Sequence, residues 1–212
     1  MKRRWAILWA VASLASSASG WTQAVAGENG LGRLRAVVET SSARDAIARV
    51  TWAEAAGQGD SGLAGVVYTI LNRLASGRWG DQVDAVVNAR GQFEPVSRAG
   101  GDWRTLPPVS AARQARVDTI LNLALDGRLP DPTSGALFFQ NPKIVAARAA
   151  AGAVSQDLVN FGGRQPSVTI GDHAFYGPEP SRGGQPVATA PASPGERGLF
   201  VLADGSIVED HP

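Results

Sequence analysis

The chain has 212 residues, with 20 Lys and Arg against 19 Asp and Glu and a formal net charge of +1. So even a balance supplies no basic footprint for nucleic acid, which is excluded as a partner. Cysteine is absent, so neither a disulfide framework nor a thiolate metal site exists and the fold must rest on its core.

Residues 1–26 read as an export signal. Lys2, Arg3 and Arg4 precede a short apolar run, Trp5 to Ala15, and small residues offer cleavage after Ala18 or Ala26. That run falls short of the about 20 residues that span a bilayer, so stable membrane insertion after cleavage is not expected. Loss of the three basic residues takes the formal charge from +1 to −2. The mature chain is expected to be a monomer, periplasmic or secreted.

Residues 27–40 read as a connector of uncertain order, and 41–177 as the folded body. Ser42 is expected to cap a first helix, with Asp45 near its start. A second helix opens at Asp60 or Ser61. Its apolar positions Leu63, Val66, Val67, Ile70, Leu71 and Leu74 keep the 3/4 spacing of a buried face, and Gly77 closes it. A shorter helix over 81–89 carries Val83, Val86 and Val87, and the Gly- and Pro-rich stretch 91–109 reads as irregular. Ser110 starts a helix with Val117, Ile120, Leu121 and Ala124 on one face. A short strand follows in 135–140, then an Ala-rich helix from Pro142 to about Ala151, then a strand or hairpin over 167–176 around Gly171-Asp172. Residues 178–198 have linker composition, and 199–212 form a short tail with a hairpin pattern around Asp204-Gly205. The expected fold class is mainly α (α+β), with a small β-hairpin element.

Several chemistries fail on inventory. A zinc peptidase needs at least two histidines and a carboxylate, so with His173 and His211 alone it would have to recruit the C-terminal tail; no Gly-x-Ser-x-Gly elbow is present, and no glycine loop cradles phosphate. No metal and no cofactor is expected. Between Ser41 and Tyr176 there are two glutamates, Glu54 and Glu94. Ile47, Val50 and Glu54 fall at i, i+3 and i+7, so Glu54 shares a helix stripe with apolar neighbours. An acid there is desolvated, which favours its neutral form, and a carboxyl neutral near physiological pH can protonate a leaving oxygen. The bland alternative is a solvated helix glutamate.

Four segments together resemble the SleB/CwlJ-type cell wall hydrolases: Trp52-Ala53-Glu54-Ala55-Ala56-Gly57-Gln58 with Leu71-Asn72-Arg73, then Gly91-Gln92-Phe93, then Gly135 to Pro142, and Ile170-Gly171-Asp172-His173-Ala174-Phe175-Tyr176. The resemblance covers roughly 45–177 and implies a lysozyme-like helical domain that cuts the glycan strand of peptidoglycan. It implies a lytic transglycosylase acting between N-acetylmuramic acid and N-acetylglucosamine, with Glu54 as the single catalytic acid and base. The family's second motif glutamate is replaced by Gln58, read here as a supporting position. A separate wall-binding module of the spore-cortex members is not visible in the sequence.

Two alternatives stay open. Glu94 could serve as a second carboxylate for muramidase hydrolysis, or be a loop residue turned outward by Pro95. The chain could instead bind peptidoglycan without cutting it. For substrate binding, Trp52, Phe93, Trp103, Phe138, Phe139 and Tyr176 offer aromatic faces for sugar rings, with Trp52, Phe93 and Tyr176 placed in the expected site, and Gln92, Gln140 and Asn141 offer amides for acetamido groups. Glu94 and His173 complete the expected set, although large aromatics are more often core, His173 more often structural, and Asn72-Arg73 could be a brace.

Overall fold

A computed structural model describes residues 30–177, and the backbone of 199–201 and 207–209. The expected export signal and linker lie outside the described residues. A first helix, α1, covers 30–38. The connector expected there is therefore helical up to Val38, which is fully buried, while Leu34 and Val37 pack against the core. Arg35 fastens α1 by donating to the Leu125 carbonyl at 3.1 Å and to Asp126 at 2.8 Å.

Helix α2 (Ser41–Ala55) starts at Thr40 rather than Ser42, because the Thr40 hydroxyl accepts from the Ala43 N–H at 3.2 Å. Asp45 lies past the first turn and forms a bidentate pair with Arg49 at 2.7 and 2.8 Å. Helix α3 (Gly59–Ser76) is the axis of the body. Its expected stripe from Leu63 to Leu74 is buried throughout, and Gly77 closes it at φ 65°, a left-handed cap that glycine adopts without a Cβ penalty. Around α3 pack α2, the short α4 (Val83–Val87) and α6 (Ala111–Leu125), the last capped by Ser110. Each fully buried Val, Leu or Ile of this centre contributes about 1.5–3 kcal/mol.

The stretch expected to be irregular contains α5 (Glu94–Arg98) and a 3-10 turn at Trp103–Thr105. Pro95 in the first turn of α5 fits the helix start, since its missing N–H would have no helical partner there. After α6 come β1 (Phe138–Gln140), α7 (Pro142–Ala150), a 3-10 turn at Gln156–Leu158 and the four-residue α8 (Asn160–Gly163). Strands β2 (Val168–Ile170) and β3 (His173–Tyr176) form the expected hairpin, and β3 is central in the antiparallel order β1-β3-β2. Phe139 pairs with Phe175, and Thr169 with Ala174. The sheet leans on α3 at Gly65, where an added Cβ would stand 2.6 Å from the Phe175 ring. The fold is thus mainly helical with a small antiparallel sheet. Strands β4 (Leu199–Val201) and β5 (Ile207–Glu209) pair antiparallel with one another.

Candidate active site

The end of α2, the α2–α3 turn, the start of α5, the β1–α7 junction and the first residue of β3 surround a groove of about 910 Å³. Glu54, on the last turn of α2, lines it, while Ile47 and Val50 of the same stripe are fully buried beneath. Burial pushes the Glu54 carboxyl up to about 7, and the Glu94 carboxylate adds to the rise. The backbone N–H of Glu94 donates toward Glu54, and with the Arg73 guanidinium it holds the value from climbing further. Near neutral pH such a group is present in both forms, which suits general acid or base chemistry.

Glu94 faces the same groove, so Pro95 has not turned it outward. Its Oε1 is gripped by Nη2 of Arg98 at 2.7 Å and Nη2 of Arg148 at 2.6 Å. Neither arginine was singled out by sequence. Arg98 sits on the same helix as Glu94 at i+4, but Arg148 comes from α7, and a pairing across that separation leaves no local pattern.

Gln92 and Asn141 also line the groove. Asn141 caps α7, its Oδ1 accepting from the Ile144 N–H at 3.1 Å, which leaves its amide nitrogen for a ligand. Gln140 lines the wall, but its amide is engaged. In the orientation that satisfies it, the nitrogen donates to the Leu158 carbonyl at 3.1 Å and the oxygen accepts from Asn160 at 3.0 Å and Phe161 at 3.3 Å. Asn160 and Phe161 hold left-handed backbone at φ 50° and 46°, strained for residues with side chains. Gln140 therefore acts as a clamp on that segment.

His173 borders the groove with its ring 5.2 Å from Phe139. Burial holds its imidazole below the usual range, partly offset by Asp172, and its Nδ1 is buried without a partner. Gln58 ties this hairpin to the helices, since its Oε1 accepts the Asp172 N–H at 2.8 Å and its amide donates to the Asp172 carboxylate at 3.4 Å. A Cβ on Gly171 would lie 2.2 Å from that Oε1, and the φ there is +56°, so glycine is required on both counts.

Three expected aromatic contacts take other places. The Trp52 ring lies against Arg113 and Arg116 of α6, with its Nε1 donating to the Arg113 carbonyl at 3.0 Å, and does not line the groove. Phe93 and Tyr176 are fully buried, so neither can stack on a sugar. Phe93 lies under the site between Arg73 and Phe139, and Phe139 and Phe161 are the phenyl rings that reach the groove. Asn72 and Arg73 are a brace. Asn72 donates to Asp131 at 2.9 Å and Ala136 at 3.2 Å, and Arg73 Nε donates to the Leu137 carbonyl at 2.8 Å, which pins the approach to β1. Among the described residues no group of three or more His, Asp and Glu side chains converges to hold a metal ion. Nor is any described helix long and apolar enough to cross a membrane.

A partly desolvated glutamic acid on the floor of an open groove defines a class of site suited to protonating a leaving oxygen. Residues 57–176 match the family model described as Cell Wall Hydrolase, and the chain belongs to that family. Its substrate class is therefore peptidoglycan. The matched span begins at Gly57, so the assignment of Glu54, three residues earlier, stands on geometry. No curated protein and no solved structure matches the chain.

Proposed function

We propose that this chain is an exported lytic transglycosylase that cleaves the glycan strand between N-acetylmuramic acid and N-acetylglucosamine. The observation that carries the reading is the Glu54 carboxyl in the groove, raised to about 7 by burial. Protonated Glu54 donates its proton to the glycosidic oxygen as the C1–O bond breaks and positive charge develops on the muramic acid ring. The Glu54 carboxylate then accepts the proton of the muramic acid C6 hydroxyl, whose oxygen bonds to C1 and closes a 1,6-anhydro ring. Glu54 returns to its starting form, and no second carboxylate has to activate water. Export accords with the signal pattern of residues 1–26, because the wall lies outside the cytoplasmic membrane.

Hydrolysis is the second reading, favoured by one observation: Glu94 lines the same groove. Against it, the Glu94 Oε1 is already bound by two guanidinium groups, so that oxygen is occupied rather than free to hold a water. Mass spectrometry of digested sacculi separates the two. Anhydromuropeptides formed by the wild type and by Glu94→Gln are the expected result, whereas reducing-end products that vanish in Glu94→Gln would establish hydrolysis. Clearing of wall-embedded gels that persists in Glu54→Gln would overturn both readings. Absence of clearing by the wild type, with wall binding intact, would leave a binding protein.

A further inference from the structure

The lining of the groove combines two chemistries. Gln58, Gln92 and Asn141 give it neutral polar groups suited to sugar hydroxyls and acetamido groups. On the α5–α7 flank, Arg98 and Arg148 converge on one oxygen of Glu94 at 2.7 and 2.6 Å, and both line the groove. Among the described residues Glu94 is the one acid paired with either. Two guanidinium groups thus share one carboxylate, which cannot neutralise both. Each guanidinium carries five N–H donors in a planar fork that matches a carboxylate. Their side chains are 67% and 37% exposed, so the remaining donors are within reach of a ligand.

The same flank is apolar in an unusual way. Three large hydrophobic residues of the described chain stand exposed, and two of them, Ile144 and Leu158, line this groove. Ile144 and Arg148 are four residues apart on α7 and so share one face of it. A surface pairing aliphatic side chains with two guanidinium groups that share one carboxylate fits a short peptide bearing carboxylates and methyl groups. In peptidoglycan such a peptide branches from muramic acid, whose own lactyl carboxylate is consumed in the amide bond to it.

We infer that the α5–α7 flank binds the stem peptide of the glycan, with Arg98 and Arg148 taking a peptide carboxylate and Ile144 and Leu158 packing on its apolar side chains. This rests on the glycan-cleaving function proposed above. It makes the enzyme selective for strands that still carry their peptides.

Binding by the full chain carrying Glu54→Gln tests this without turnover. The probes are soluble glycan strands bearing stem peptides, the same strands with their carboxylates amidated, and peptide-free strands with the lactyl carboxylate exposed. The unmodified peptide strand should bind about tenfold or more tighter than the amidated one, the range of charge-assisted hydrogen bonds. Adding Arg98→Ala and Arg148→Ala should erase that gap and leave the amidated strand unaffected. Adding Glu94→Gln instead should free both guanidinium groups and tighten the peptide strand further, a check that survives poor folding of the double arginine variant. Equal affinity for unmodified and amidated strands would overturn the inference, as would a gap that persists without the arginines or no gain in Glu94→Gln. Equally tight binding of peptide-free strands would reassign the flank to the lactyl carboxylate and overturn it too. These results leave the transglycosylase reading standing, because that reading is decided by the products of the wild type. Failure of every strand to bind would overturn the inference as well.

Discussion

Gln58 and Asp172 hold one another by two hydrogen bonds in opposite directions across the gap between the α2–α3 turn and the β2–β3 hairpin. The Asp172 N–H donates to Gln58 Oε1 at 2.8 Å, and Gln58 Nε2 donates to the Asp172 carboxylate at 3.4 Å. The amide of Gln58 both accepts and donates here, whereas an ionised carboxylate could only accept. Gln58→Glu would set two carboxylates against each other and should lower thermal stability at pH 7 by about 1 kcal/mol, the scale of a half-exposed pair. The deficit should shrink near pH 4, where an ordinary carboxyl begins to protonate. Equal melting of the two proteins at pH 7 would show that the pair carries no energy.

Glu54 sets the pH dependence. Its folded value of about 7 lies above the ordinary 4.5, so the folded chain holds a proton there that the unfolded chain has released. The contribution to stability is complete below about 4.5 and is lost as pH rises through about 7. Glu54→Gln, permanently neutral, should match the wild type at pH 4 and exceed it at pH 8, by on the order of 3 kcal/mol at most. Activity should go the other way, with kcat/KM of the wild type falling as pH rises through about 7 and Glu54→Gln losing roughly 10²–10⁴-fold. Urea melts at the two pH values provide the check.

Arg73 tunes that acid from below. It is buried between Trp79 and Phe93, its rings at 5.0 and 4.7 Å, and burial draws its own value down to about 10 while Glu54 raises it. Its charge in turn lowers Glu54. Arg73→Gln should therefore move the alkaline limb of the pH–rate profile upward, and Arg73→Lys should keep it nearer the wild-type position. Loss of stability alone would reduce the amount of active enzyme and leave the limb in place.

Gly65 permits the sheet to reach the central helix. Gly65→Ala would drive a methyl to 2.6 Å from the Phe175 Cζ, inside a ring that is fully buried. The expected cost is about 1–3 kcal/mol, typical of overpacking, read as a lower melting temperature. An unchanged melting temperature would mean that β3 can move away from α3 freely.

Patterns that repeat every three or four residues were legible before any coordinate. The buried face of α3, the Val83, Val86 and Val87 face, the Ser110 cap and the placement of Glu54 beside Ile47 and Val50 all follow from helix periodicity, a local rule. The hairpin at Gly171-Asp172 and the short strand before Pro142 follow from turn chemistry, also local. The helix at 30–38 leaves no clear pattern, because its apolar residues Leu34, Val37 and Val38 form too short a stripe to stand out. The start of α5 is hidden, because Gly91 and Pro95 mask a five-residue helix.

The sequence by itself determined that an acid sits on an apolar helix face and that the chain is mainly helical around Leu63 to Leu74, because both depend on neighbours within two turns. Tertiary structure decided which large aromatics meet the groove, Phe139 and Phe161 rather than Phe93, Trp52 or Tyr176, since burial depends on what packs above a ring. It also decided that Glu94 faces Glu54 and is held by Arg98 and Arg148. Those charges come from α2, α5 and α7, and only chain folding brings them into one electrostatic environment.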